Sequence, residues 1–351
     1  MGLYGGALSR THAALALAIV TVLTLAGGAV VASEFGPVPV SRQPAPDARV
    51  NEGSPEIAVV FDEDIALVEG AGAPTIVDAA GVSRPGVTSA LENPRKLLIQ
   101  YTGPLPDGGY TVTIPEGHVS RADLPMSTNA TITWKFQVDT VASPPVVAAV
   151  DDPVNLQKQS AVAVAGTSEP GSTVTVEASD GVKILVSAPG LTANQDGQWD
   201  TTLNVTDLAD GPLTVSATAT DLAGNTSPRS APRHTRKDAT PPTVRLTVPA
   251  GAVSATSKPG IVLEFSESVR PTPYDGEDGV RVRQGSVTLV HADSGESVEG
   301  VTGVVEAATG TLHVLYEGEL DDGDYTVSVA EDTVRDTAEN PNDAASLDFS
   351  V

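Results

Sequence analysis

The 351-residue chain predicts an all-β protein: three tandem β-sandwich domains behind an N-terminal signal or anchor helix. Three observations carry that prediction. Short runs of Val and Thr alternate apolar and polar residues along most of the chain, as in Ile57-Ala58-Val59-Val60-Phe61, Tyr110-Thr111-Val112-Thr113-Ile114 and Leu213-Thr214-Val215-Ser216-Ala217-Thr218. That period of two is the signature of a half-buried strand. Two Pro-Pro joints, residues 139–145 (DTVASPP) and 238–242 (DATPP), cut the remainder into units of about 100 residues, the size of one sandwich. An internal repeat relates the first unit to the third.

Composition narrows function before any motif does. Acids outnumber bases by 45 to 20, for a formal net charge of −25, which argues against nucleic acid and against docking on anionic lipid, since both reward Lys and Arg. Cysteine is absent, which excludes disulfides, thiolate metal sites and cysteine nucleophiles. Hydrophobic residues make up 40% of the chain, too many for an acidic disordered polymer.

The elements follow in order. Residues 1–32 read as a targeting segment. Ala13–Ala32 carries no charge; Ala13–Leu25 has the length of an export signal's apolar core, and Val30-Val31-Ala32 offers a cleavage site before Ser33. The alternative is an uncleaved membrane anchor, because twenty apolar residues just span a bilayer. Either way the rest of the chain is expected outside the cytoplasm, at the cell surface or beyond it. The chain ends on a strand, Leu347–Val351, so any membrane attachment is expected only through the N-terminal segment.

Residues 33–139, 140–237 and 238–351 then form the three expected sandwiches. Turn signals such as Pro106-Asp107-Gly108-Gly109, Asp196-Gly197 and Asp321-Asp322-Gly323-Asp324 separate their strands. Ile57–Ile65 (IAVVFDEDI) parallels Ile261–Val269 (IVLEFSESV) at an offset of 204, and Tyr101–Val112 parallels Tyr316–Val327 at an offset of 215. The 11 extra residues fall between the two matches, some of them expected in the acidic loop Arg270–Gly285. Order and spacing of this kind indicate a duplicated fold.

These residues carry a resemblance. With Asp238-Ala239-Thr240-Pro241-Pro242, Phe265-Ser266-Glu267, Tyr325-Thr326-Val327 and the closing Asp336-Thr337-Ala338-Glu339-Asn340, the third unit resembles a bacterial SbsA-type Ig-like domain. Glu339 stands there in place of the family's usual Gly. The middle unit, with Gly166–Gly171, Asp196-Gly197-Gln198-Trp199 and Asp221-Leu222-Ala223-Gly224-Asn225, resembles the Ig-like repeats of bacterial surface adhesins. The first unit is similar both to the third and to the CopC-type copper-resistance domain, through Pro44–Val50, Ile57–Ile65, Leu105–Tyr110 and Ile132–Val138. The CopC resemblance implies a copper site built on histidines. Only His118 lies near the expected position, and Asp123-Leu124-Pro125 stands where the family has Asp-Gly-His. His118 is therefore the one copper candidate. Its plainer reading is a solvated loop histidine.

Candidate chemistry is otherwise sparse. No nucleophile elbow, zinc-binding helix or phosphate loop occurs, and no catalytic residue is assigned. Calcium is the better ligand hypothesis, since hard cations take carboxylate and carbonyl oxygens from loops. The candidates are Asp221, Asn225 and Asp238, weighed against their use as turn formers through side-chain hydrogen bonds to backbone. Asp275–Gly279 reads as a solvated acidic loop. Arg229–Lys237 reads as a basic linker, open either to an anionic cell-wall polymer or to complementing acidic neighbours. The glycosylation-type sites at Asn129, Asn204 and Asn225 read as plain strands and turns. The sequence thus predicts a non-enzymatic exported protein that adheres, binds or spaces, its partner an unidentified protein or envelope component. An envelope copper-binding protein is the alternative.

Overall fold

A computed structural model describes residues 36–187, 190–248, 253–272 and 280–351, and the expected leader helix and Asp275–Gly279 loop lie outside them. The chain divides after Asp139 into two compact units, Met1–Asp139 and Thr140–Val351. The first holds one hydrophobic core and the second holds two.

In the first unit β1 (Pro39–Gln43), β3 (Ile57–Phe61), β7 (Lys96–Gln100) and β6 (Thr88–Asn93) form one sheet in the order β1-β3-β7-β6. The facing sheet runs β2-β10-β8-β5, from β2 (Arg49–Val50), β10 (Ile132–Val138), β8 (Gly108–Ile114) and β5 (Thr75–Asp78). A ribbon of β4 (Ile65–Leu67) with β9 (Val119–Arg121) closes one end. Alternation does the sorting. Ile57, Val59 and Phe61 from one sheet meet Tyr110, Val112, Ile114, Trp134 and Phe136 from the other, all buried, as period-two strands require of two packed sheets.

The third sandwich repeats this plan. Its sheets run β18 (Val244–Val248), β19 (Ile261–Phe265), β23 (Thr311–Leu315), β22 (Thr302–Glu306), and β21 (Val287–His291), β24 (Asp324–Val329), β26 (Ala345–Ser350). The ribbon recurs as β20 (Arg270–Pro271) with β25 (Val334–Arg335). Even the parallel contact of β2 with β10 returns, as a bridge from Val253 to Ser350. Ile76 pairs with Val112 and Leu289 with Val327, so the offset has already grown from 204 to 213 by the fifth strand. Most of the insertion therefore enters between β19 and β21, in the stretch that holds Arg270–Gly285.

Two tyrosines stitch each copy in the same way. Tyr101 donates its hydroxyl to the Pro55 carbonyl at 2.8 Å, and Tyr316 donates to that of Pro259 at 2.7 Å. Tyr110 reaches back to Pro106 at 2.7 Å and stacks on Phe136; Tyr325 reaches back to Asp321 at 3.2 Å and stacks on Phe349. A buried asparagine plugs the loop between the ribbon and the last strand. Asn129 accepts from the Val119 amide and donates to the Pro115 and Ala130 carbonyls; Asn342 accepts from Thr333 and Val334 and donates to Ala330 and Asp343.

The middle sandwich is built differently. One sheet is β11 (Val146–Val150), β12 (Val162–Thr167), β15 (Gln198–Leu203); the other runs β14 (Ile184–Val186), β13 (Thr173–Ser179), β16 (Gly211–Thr220), β17 (Arg233–Lys237). Here the expected linker Arg229–Lys237 is corrected. Residues Arg233–Lys237 are an edge strand paired with β16. Just upstream, Ser227 and Ser230 accept from the Ala219 and Ala217 amides at 2.9 Å, completing the edge that β17 leaves open. Two of the four bases in Arg229–Lys237 are engaged locally: Arg229 pairs with Glu177, and the buried Lys237 ammonium donates to the Leu208 carbonyl and to Asp210, both at 2.9 Å.

Candidate functional site

The chemistry-bearing residues gather where the second sandwich passes into the third. β17 ends at Lys237, and the following Asp238-Ala239-Thr240 is pinned from several sides. The Asp238 amide donates to the Val154 carbonyl at 2.9 Å, and Asp210 accepts from the Ala239 amide at 3.1 Å and from the Thr240 hydroxyl at 2.7 Å. This joint is a hydrogen-bonded segment, with Pro241 and Pro242 removing two donors beyond it.

Both Asp-x-x-x-Asn loops fold alike. Asp221 Oδ1 accepts from the amides of Ala223 and Asn225, and its Oδ2 accepts from the Asn225 side chain at 2.8 Å. Asp336 does the same with Ala338, Asn340 and the Asn340 side chain. Short polar side chains mimic a backbone turn in this way. Gly224 takes φ 93° in the first loop; Glu339 takes φ 72° at the matching place in the second, its carboxylate paired with Arg270.

The structure separates the three calcium candidates. Asp221 and Asn225 share one loop, while Asp238 joins a different group. Asp238, Glu267 and Asp336 each bring one carboxylate oxygen within 4.8 Å of the others, and they are the one group of three potential metal ligands among the described residues. Asp336 is buried, and the other two are half-buried. Burial pushes the Asp238 carboxyl above its ordinary range, and the charges of Asp336 and Asp210 add to the rise. Burial likewise raises Glu267, reinforced by Asp336 and Asp238. Asp221 goes the other way: burial alone would raise it, but hydrogen bonds from the Asn225 side chain and the loop amides outweigh that and hold it low. Three oxygens from separate segments make an arrangement a hard divalent cation could neutralise. Sequence reasoning found Asp238 but assigned no ligand role to Glu267 or Asp336. The repeat gave no warning of this, because Glu63, the counterpart of Glu267, is an ion-pair partner of Arg121 at 3.0 Å, whereas Glu267 faces two acids.

His118 is not a solvated loop residue. It is 7% exposed, with Nδ1 2.8 Å from the Gly72 carbonyl and Nε2 2.8 Å from the Ser89 hydroxyl. A carbonyl can only accept, so Nδ1 carries the proton, and in the neutral ring Nε2 accepts from Ser89. A copper ion would have to displace one of these partners. Met126 is 92% exposed. Asn129 is 1% exposed and fully engaged, which leaves its glycosylation-type site inside the fold. His234 lies on β17 and His313 on β23, beside Glu306 at 4.0 Å. No helix among the described residues is long and apolar enough to cross a membrane.

Comparison with known proteins places two segments. Residues 149–233 match the family described as Bacterial Ig domain, and residues 238–351 match the family described as Bacterial Ig-like domain. No curated protein sequence matches the chain. Among solved structures, a tetra-tandem repeat from the extending region of a large adhesion protein is similar at 20% identity over 85% of this chain and 70% of that one, with a TM-score of 0.28. A 1.5-MDa bacterial ice-binding adhesin is similar at 17% identity, over 85% and 90% of the two chains, with a TM-score of 0.36. Titin domains I67–I69 are similar at 12% identity, over 91% and 98%, with a TM-score of 0.34. None of these three likenesses bears on function. The second and third sandwiches of this chain are bacterial Ig-like domains.

Proposed function

We propose that the chain is a non-catalytic bacterial protein, exported by its N-terminal segment, that acts outside the cell as an adhesion, binding or spacer module. The observation that supports this reading best is the duplication: one sandwich plan, down to its tyrosine and asparagine fastenings, occurs twice around a second kind of sandwich. Repetition of a scaffold lengthens reach and multiplies contact surfaces. Loops at the sandwich ends and open strand edges are the surfaces it would present. The partner belongs to the cell envelope or to a neighbouring surface.

An antibody against residues 36–351 is expected to label intact cells, and deleting the gene is expected to weaken attachment or surface binding. Retention of the protein in the cytoplasm overturns the reading. Within it, calcium is assigned to the joint, with Asp238 as the sequence-derived ligand and Glu267 and Asp336 as its structural partners. Melting the exported portion with calcium and with chelator checks this: calcium is expected to raise the transition, and equal transitions remove the ion.

A further inference from the structure

We infer that Asn340 is an interdomain latch: its buried side-chain amide fastens the Asp-x-x-x-Asn loop of the third sandwich onto the second at Leu156 and onto the joint at Asp238. Asn340 is fully buried. Its Oδ1 accepts from the Leu156 amide at 2.7 Å, and its Nδ2 donates to the Asp238 carbonyl at 2.7 Å and to Asp336 Oδ2 at 2.8 Å. Leu156 follows β11, and Asp238 follows β17, so one side chain ties together the two places where the second sandwich meets its neighbour. These two places are already bound to each other, since the Asp238 amide donates to the Val154 carbonyl.

The chemistry selects asparagine. A primary amide offers two donors and an acceptor in one plane, and three of its sites are used here. The partners fix which end is oxygen, because the Leu156 amide can only donate and the Asp238 carbonyl can only accept. An aspartate in this place would set a buried carboxylate against a carbonyl and against Asp336, with nothing to donate. The first sandwich lacks the loop altogether. Where the third has Asp336–Asn340, it has Ala122-Asp123-Leu124-Pro125-Met126, in which Asp123 pairs with Arg121 and Met126 is exposed. The loop thus distinguishes two copies of one fold, and in the third sandwich it is used on the preceding domain. The latch deepens the spacer reading, because a joint fixed by a buried side chain is stiff. Its test concerns the joint alone, so failure of one leaves the other standing.

Amide hydrogen exchange on the whole exported chain tests it, with Asn340→Ala and, from the opposite side, Leu156→Pro. In Asn340→Ala the Leu156 amide is expected to exchange about tenfold faster or more, while Val176 in β13 keeps its protection. In Leu156→Pro, which leaves every third-domain residue in place, the Ala338 and Asn340 amides are expected to speed up several-fold while Val327 in β24 stays slow. An unchanged Leu156 rate in Asn340→Ala overturns the latch. Should that variant lose the third sandwich, so that Val327 exchanges as fast as Leu156, unchanged loop amides in Leu156→Pro overturn it instead.

Discussion

At the scale of the residue, stability rests on a few buried polar side chains that the sequence shows only as Asn, Asp or His. Asn342 satisfies two amides and two carbonyls while 1% exposed. Replacing it with Ala strands buried groups, each costing about 1–3 kcal/mol. Asn342→Ala is expected to destabilise the third sandwich by about 3 kcal/mol in chemical denaturation, and Asn129→Ala to do the same to the first. Glu339 is the converse case. At φ 72° a side chain is strained, and glycine relieves about 1 kcal/mol, against an exposed ion pair with Arg270 worth little. Glu339→Gly is expected to raise the melting temperature slightly; a clear fall would show that the Arg270 pair dominates. His118 marks the limit of sequence reading at this scale. A loop position predicts solvent, and only the fold brings Gly72 and Ser89 to its two nitrogens. With both engaged, copper titration of residues 36–351 is expected to show no tight stoichiometric binding, and binding lost in His118→Ala would contradict that.

At the scale of the element, strand identity was legible because alternation alone decides which side chains meet. The repeat was legible too: Ile57, Val59 and Phe61 map onto Ile261, Leu263 and Phe265 without a slip, and all six are buried. What misled was composition. Arg229–Lys237 is rich in bases and reads as a solvated linker, yet alternate residues Thr235 and Lys237 turn inward and the segment completes a sheet. A lysine can be buried when its head meets a carboxylate and a carbonyl, and neither Asp210 nor Leu208 is near it in sequence. Close approach between strands is also invisible to pattern. A Cβ on Gly166 of β12 would strike the Val146 carbonyl and the Trp199 ring. Gly166→Ala is therefore expected to cost about 2–3 kcal/mol or more in unfolding free energy, through backbone displacement at β11 and the indole.

Across the whole molecule, the −25 charge resolves into local arrangements with opposite effects. Hydrogen-bonded carboxyls such as Asp221 and Asp332 sit below their ordinary range and add stability that is lost as pH falls from that range through their lowered values. Asp238 and Glu267 sit above it. In the folded chain they bind protons more readily than in the unfolded one, so stability falls as pH rises from the ordinary carboxylate range through their raised values. Above that window the whole penalty is present. In the presence of chelator, Glu267→Gln is accordingly expected to raise the melting temperature at neutral pH and to flatten its decline as pH rises above the ordinary carboxylate range. A lower melting temperature at neutral pH would show that the Glu267 charge is useful to the fold. This joint could not be read from sequence, because Asp238, Glu267 and Asp336 stand far apart along the third unit and only the fold brings their carboxylates together.

Three separately cored sandwiches follow one another along the chain. Pulling single molecules of residues 36–351 by their ends tests this arrangement most directly. Three unfolding steps are expected, each releasing about 100 residues and hence roughly 33–36 nm of contour. A single step, or a chain that extends without resolvable steps, would contradict it.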